Sequence, residues 1–134
     1  MKITLMQLKA CESGLDKLLK SDLPAPSSFR LLGILSMIRD NLNRIEQQRT
    51  ALVRKYGEED SESGRLEVKK DGNNWSQFIN ELHEILQEEI ELEGFQPLNV
   101  SMLGNAAIST IELESLMGKF IVEDSKQETS SNTG

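Results

Sequence analysis

Between Phe29 and Leu92 the apolar positions recur at helical spacing in two separate runs. Leu31, Leu35, Ile38, Leu42, Ile45, Arg49, Leu52 and Tyr56 step by alternating fours and threes, and Trp75, Phe78, Leu82, Ile85, Glu89 and Leu92 step by threes and fours. That spacing holds one stripe of each helix toward a partner, so the two runs predict an antiparallel hairpin of long helices. Each seam carries one charged side chain, Arg49 in the first and Glu89 in the second. A charge inside an apolar stripe is costly unless it is paired. The register of the hairpin sets Arg49 opposite Leu82, within reach of Glu81 or Glu89. One reading is an ion pair that fixes the register; the other is an arginine that opens onto a ligand pocket or subunit interface and binds an anion.

The flanking segments complete the element pattern. Thr4 with Gln7 fits a capping box, and Leu5, Leu8, Cys11, Leu15, Leu18 and Leu19 follow at helical spacing, which predicts a first helix from about Leu5 to Lys20, weakened at Gly14. Leu23-Pro24-Ala25-Pro26 breaks it. Ser27 or Ser28 is expected to cap the long helix, and Gly57 to end it in the left-handed conformation. Residues 57–64 contain no apolar side chain and read as a solvated loop. Arg65–Lys70 alternates as a short strand with Leu66 and Val68 on one face, and Asp71-Gly72 is a tight-turn signal. The strand has no room for a return partner, so Glu91–Phe95, Lys2–Thr4 and Phe120–Glu123 are the candidates to pair with it. Asn74 with Gln77 is expected to cap the third helix, Leu98–Leu103 to form a short extended piece or turn, and Ser109 with Glu112 to cap a last helix reaching about Lys119. The apolar face of that last helix is Ile111, Leu113, Leu116, Met117 and Phe120. The expected fold class is α+β, mainly α: an antiparallel long-helix hairpin with a short N-terminal helix, a C-terminal helix and a small two- or three-stranded sheet. One domain spans residues 1–122, and the polar residues 123–134 read as a disordered tail.

Charge sharpens this picture. The 134-residue chain has a formal net charge of −7, spread unevenly: residues 27–57 carry +4 and residues 71–95 carry −7. The two long helices therefore attract each other. An acidic chain neutralises few phosphates, so direct binding to nucleic acid is disfavoured and a protein with a basic surface is the expected partner. No run of apolar residues reaches the roughly 18 needed to cross a membrane, and Met1–Met6 lacks the apolar core of a signal peptide, so a soluble intracellular protein is expected.

Candidate chemistry is sparse. An EF-hand loop beginning at Asp60 would need glycine at its sixth position, where Arg65 stands. The single Cys11 and single His83 cannot build a zinc site or a catalytic triad, and Cys11 shares a helical face with Leu8, Leu15 and Leu18 as a small buried side chain. No catalytic, cofactor or metal residues are therefore assigned. The residues expected to meet a partner are Glu81, Glu84, Glu88 and Glu91 on the acidic third helix, together with Arg49. Self-association that buries leftover Ile34, Met37 and Val53 is a further expectation.

Several motifs run together: Leu23-Pro24; the helix end Leu52, Lys55, Tyr56, Gly57, Glu58, Asp60; the third-helix set Phe78, Glu81, Leu82, Ile85, Glu88; and the closing Ile108, Ser109, Glu112, Leu113, Leu116. Over about residues 1–122 this succession resembles a group of small proteins encoded by tailed bacteriophages and prophages, departing from it at Ile85, where leucine is expected. The resemblance implies a phage accessory protein in the bacterial host cytoplasm and carries no catalytic residues. Three roles fit: an anti-CRISPR-like or related inhibitor of host antiviral defence, whose acidic helix mimics nucleic-acid charge; a head or tail assembly chaperone; and a sponge for an anionic nucleotide immune signal, which needs a basic pocket built by oligomerisation with Arg44, Arg49 and Arg54 as its candidate cations.

Overall fold

A computed structural model describes residues 1–124 and gives a mainly helical α+β fold, with elements in the order β1 (Lys2–Thr4), α1 (Leu5–Leu19), α2 (Ala25–Tyr56), β2 (Glu58–Glu59), β3 (Leu66–Glu67), α3 (Trp75–Leu86), β4 (Glu89–Glu91), β5 (Leu98–Asn99), α4 (Thr110–Leu116) and β6 (Ile121–Val122). The sheet content is three separate two-stranded ladders instead of one small sheet. β1 pairs antiparallel with β4, β2 antiparallel with β3, and β5 parallel with β6. All three segments expected to pair with Leu66 lie at or overlap strands, but each takes another partner. Leu66 pairs with Glu59 across the acidic loop, which is closed by an Asp60 N–H bond to the Arg65 carbonyl at 2.8 Å.

Both capping boxes form. Gln7 N–H donates to Thr4 Oγ1 at 3.1 Å while Gln7 Oε1 accepts from Thr4 N–H at 3.0 Å, and Ser109 and Glu112 do the same for α4. The long helix starts earlier than expected, with Pro24 at its N-cap and Pro26 in its first turn, where a missing N–H costs nothing. Ser27 is consequently not a cap. It is buried, and its hydroxyl donates to the Met102 carbonyl, fastening α2 to the turn Val100–Leu103. Asn74 is not a side-chain cap either; its amide donates to the Tyr56 carbonyl at 3.2 Å and ties the start of α3 to the end of α2.

Two glycines act through space and not through backbone freedom. Gly57 has an extended conformation, φ −78° and ψ 156°, not the left-handed one expected of it. A side chain there would collide with the Val53 carbonyl and come within 3.0 Å of Leu66 Cγ, so glycine lets the β2–β3 ladder fold back onto the end of α2. Gly14 is buried where α1 meets α4, and a Cβ would lie 2.9 Å from Leu116 Cδ1 and 3.3 Å from the Glu112 carbonyl. The residue that weakens α1 locally is the one that lets α4 approach it.

The core lies at one end of the molecule. α1 contributes Leu8, Cys11, Leu15 and Leu18; the first half of α2 contributes Leu31, Ile34, Leu35 and Ile38; Ile3, Leu92, Leu98, Leu103, Leu116, Phe120 and Ile121 close around them. Each fully buried aliphatic or aromatic side chain of this kind contributes about 1.5–3 kcal/mol. Ile34 is thus committed to the core, Met37 packs against it and Val53 is half-buried, so the side chains expected to be left for self-association are largely used within the chain. Cys11 is buried as expected; its thiol donates to the Ser115 carbonyl at 3.3 Å, and burial raises its pKa. Ile111 departs from expectation, standing 80% exposed on the outer side of α4.

The second half of α2 packs against α3 and β3, which completes the expected hairpin over a shorter length than the sequence seam. α3 ends at Leu86, and the chain then turns into β4. From Glu89 to Glu93 the sequence alternates strictly, Glu-Ile-Glu-Leu-Glu, and a strand is available: Ile3 lies opposite Ile90, Lys2 opposite Glu91 and Thr4 opposite Glu89. Inward Ile90 and outward glutamates satisfy that ladder, whereas a continued helix would put Glu89 into the seam. The expected disordered tail lies outside the described residues except for Glu123 and Asp124, and Asp124 accepts a 3.0 Å hydrogen bond from Ser101 N–H.

Candidate protein-binding surface

The acidic residues proposed from sequence divide into three environments. Glu81 belongs to the hairpin seam. Its Oε1 accepts from the Lys55 ammonium at 3.2 Å, and its other oxygen is covered by protein. The Tyr56 hydroxyl and then Lys55 hold the Glu81 carboxyl below the usual carboxylate range, and the Lys55 ammonium is raised in turn, chiefly by Glu81. This is the ion pair that links the basic and acidic helices, so the expected register pair exists but uses Lys55 and not Arg49. Glu81 is therefore occupied internally.

Glu84 and Glu88 come together at the C-terminal end of α3. With Gln87 and Glu89 they line an open acidic hollow of about 540 Å³. The hollow is positioned from both sides: Gln87 caps α3 by donating to the His83 carbonyl at 3.0 Å, and the Glu88 carbonyl accepts from Leu5 N–H at 2.9 Å. The backbone at this junction is thereby fixed, the three glutamate side chains stand exposed from it, and Glu89, expected in the helical seam, becomes the missing member of the cluster. Glu91 stands apart on β4, where its carboxylate meets the N-terminal ammonium of Met1 at 3.2 Å.

Arg49 is not buried. Its side chain is 53% exposed and pairs with Glu46 of its own helix at 3.2 Å, reaching neither Glu81 nor Glu89. It lines a hollow of about 410 Å³ with Val53, Leu66, Glu67, Val68, Trp75, Phe78, Ile79 and Leu82. Sequence reading did not foresee this hollow; the signal was Leu66 and Val68 on one face of a strand too short to cover them. Within one copy of the chain, Arg44 and Arg54 line two other depressions, Arg44 beside Ile45 and Ile85 and Arg54 beside Asn43 and Thr50.

Compared with known proteins, the chain matches no family model, no curated protein and no solved structure. The surface must therefore be read from its own chemistry. Among the described residues, no helix is long and apolar enough to cross a membrane. The acidic hollow offers only acceptor oxygens and one amide, a set that recognises ammonium and guanidinium groups.

Proposed function

We propose that the protein is a non-catalytic, phage-encoded accessory factor that inhibits a host antiviral defence protein by occupying one of its basic surfaces. The observation that carries this reading is the convergence of Glu84, Glu88 and Glu89 around one open hollow, in a segment, residues 71–95, that contains no lysine or arginine. A field of one sign steers association with a surface of the other sign and excludes partners of like charge. A nuclease that handles nucleic acid presents such a basic surface, and the hollow would compete for it.

The test is to express the chain in a bacterium whose nucleic-acid-guided defence restricts a phage. Plaque formation is expected to return, and the triple variant Glu84→Lys, Glu88→Lys, Glu89→Lys is expected to lose the effect. Affinity for the isolated defence protein should fall steeply between low and physiological salt. Full activity of the reversed variant would remove the acidic surface from the mechanism.

A second reading, a virion-assembly chaperone, is supported by a different observation. Phe29 is 80% and Leu32 52% exposed on α2, and Phe29 borders a hollow of about 360 Å³ that Gly94 and Phe95 also line. Binding through that patch would barely respond to salt and would be lost in Phe29→Ser.

A further inference from the structure

We infer that the hollow between α2, β3 and α3 is a binding site for a small amphipathic anion, with its apolar body against Trp75, Ile79 and Leu66 and its anionic group at Arg49. Seven of the nine lining residues are apolar: Val53, Leu66, Val68, Trp75, Phe78, Ile79 and Leu82. Leu66 and Ile79 are large hydrophobic side chains left exposed there. Two charged residues remain. Glu67, beside Leu66 on β3, also lines the hollow, as an exposed residue open to solvent. Arg49 is the cation, and its present partner Glu46 is an exposed neighbour on the same helix, a weak pairing that an incoming anion can displace.

The dimensions suit a small molecule. On α2 the lining spans Arg49 to Val53, about 6 Å, and on α3 it spans Trp75 to Leu82, about 10 Å. A volume of about 410 Å³ falls within the range of small-molecule pockets, which are mostly apolar with a few oriented polar groups. The site is separate from the acidic hollow and stands whether or not that surface binds a defence protein.

Trp75 is the chain's single tryptophan, so its emission reports on this site directly. The probe is 8-anilinonaphthalene-1-sulfonate, an aromatic body with one sulfonate, titrated into the full chain. Saturable one-to-one binding with energy transfer from Trp75 is expected. Arg49→Gln should weaken it about tenfold, the scale of one hydrogen bond to a charged group, and Ile79→Glu should abolish it. Phe29→Ser, at the other exposed apolar patch, should leave it unchanged. The neutral analogue N-phenyl-1-naphthylamine should bind more weakly than the sulfonate and be indifferent to Arg49→Gln. Circular dichroism verifies the fold; should Ile79→Glu unfold, the exposed Arg49→Gln decides alone. Undiminished sulfonate binding to Arg49→Gln, or binding abolished by Phe29→Ser, overturns the assignment.

Discussion

The two halves of α2 share one continuous helix but serve different kinds of structure. Its first half buries Leu31, Ile34, Leu35 and Ile38, covered by α1, by β5 with Leu98 and by the turn that carries Leu103. Its second half buries only Ile45 and Leu52, and α3, which covers it, buries only Phe78. The first region is a packed core and the second a thin two-helix blade with one layer of contacts. A single layer leaves side chains half-covered: the Arg49–Trp75 hollow lies in this thin region, and the acidic hollow lies at its boundary with the core, where Glu88 meets Leu5. Stability is supplied at one end of the helix, which frees the other end to present surface.

The largest expected effect tests that division directly. Phe120→Ala removes a fully buried ring from the core and should cost about 3–5 kcal/mol, a large fraction of the roughly 5–15 kcal/mol by which an ordinary domain is stable. Leu82→Ala removes a half-covered side chain from the blade and should cost about 1 kcal/mol. Urea unfolding followed by circular dichroism measures both. Equal losses would show that the blade is as integral as the core, and the comparison would break.

The sequence carried the division only in part, for identifiable reasons. Local chemistry was legible: Thr4 with Gln7 and Ser109 with Glu112 specify their caps through contacts three residues apart. Partners distant in the chain were not. Glu89–Leu92 satisfies a helical spacing and a strand alternation equally, and the deciding partner, Lys2–Thr4, lies at the other end of the chain. Arg49 lies off the buried stripe because no single stripe runs the whole length of α2. At 3.6 residues per turn the buried direction swings by roughly 40° between Leu31–Ile38 and Ile45–Leu52, as the covering helix changes from α1 to α3. Arg49 is left at the edge. The acidic hollow is half legible in sequence: Glu84 and Glu88 fall one helical turn apart, whereas Glu89 joins them only once the helix ends at Leu86.

Each region is also stitched by one carboxylate, and acid should act on both. In the core, Glu112 bridges α4 to α1: Lys17 at 2.9 Å and Ser13 at 2.7 Å bind it, and with Ser109 they pull its pKa from 4.5 down to about 2. A carboxyl depressed by folding adds stability that is complete above its unfolded pKa and is lost as pH falls toward the folded one. Stability should therefore decline between about pH 5 and pH 2, and Glu112→Gln should flatten that decline in melting temperature. Glu81 is lowered as well, by Tyr56 and then Lys55, so acid should loosen the blade too. Trp75 fluorescence follows the blade and far-ultraviolet dichroism follows the whole chain. In Glu81→Gln only the Trp75 signal should lose its acid dependence; a change in the global transition instead would mean that the two regions unfold as one.

The smallest expected effect is the most discriminating for the seam. Arg49→Met keeps helix propensity nearly constant and removes an exposed pair with Glu46, one turn away. Such pairs are worth about 0.2–0.5 kcal/mol, and the methionine body can cover the apolar wall that the arginine stem now covers. The two changes nearly cancel, so stability should stay within about 0.5 kcal/mol of the parent. A buried, paired arginine would behave differently, because removing one partner of such a pair typically costs about 3–5 kcal/mol. A loss of that size in chemical unfolding would place Arg49 inside the seam and extend the core's logic into the blade. A near-zero change leaves the guanidinium where the structure has it, at the lip of an apolar hollow and available to a ligand.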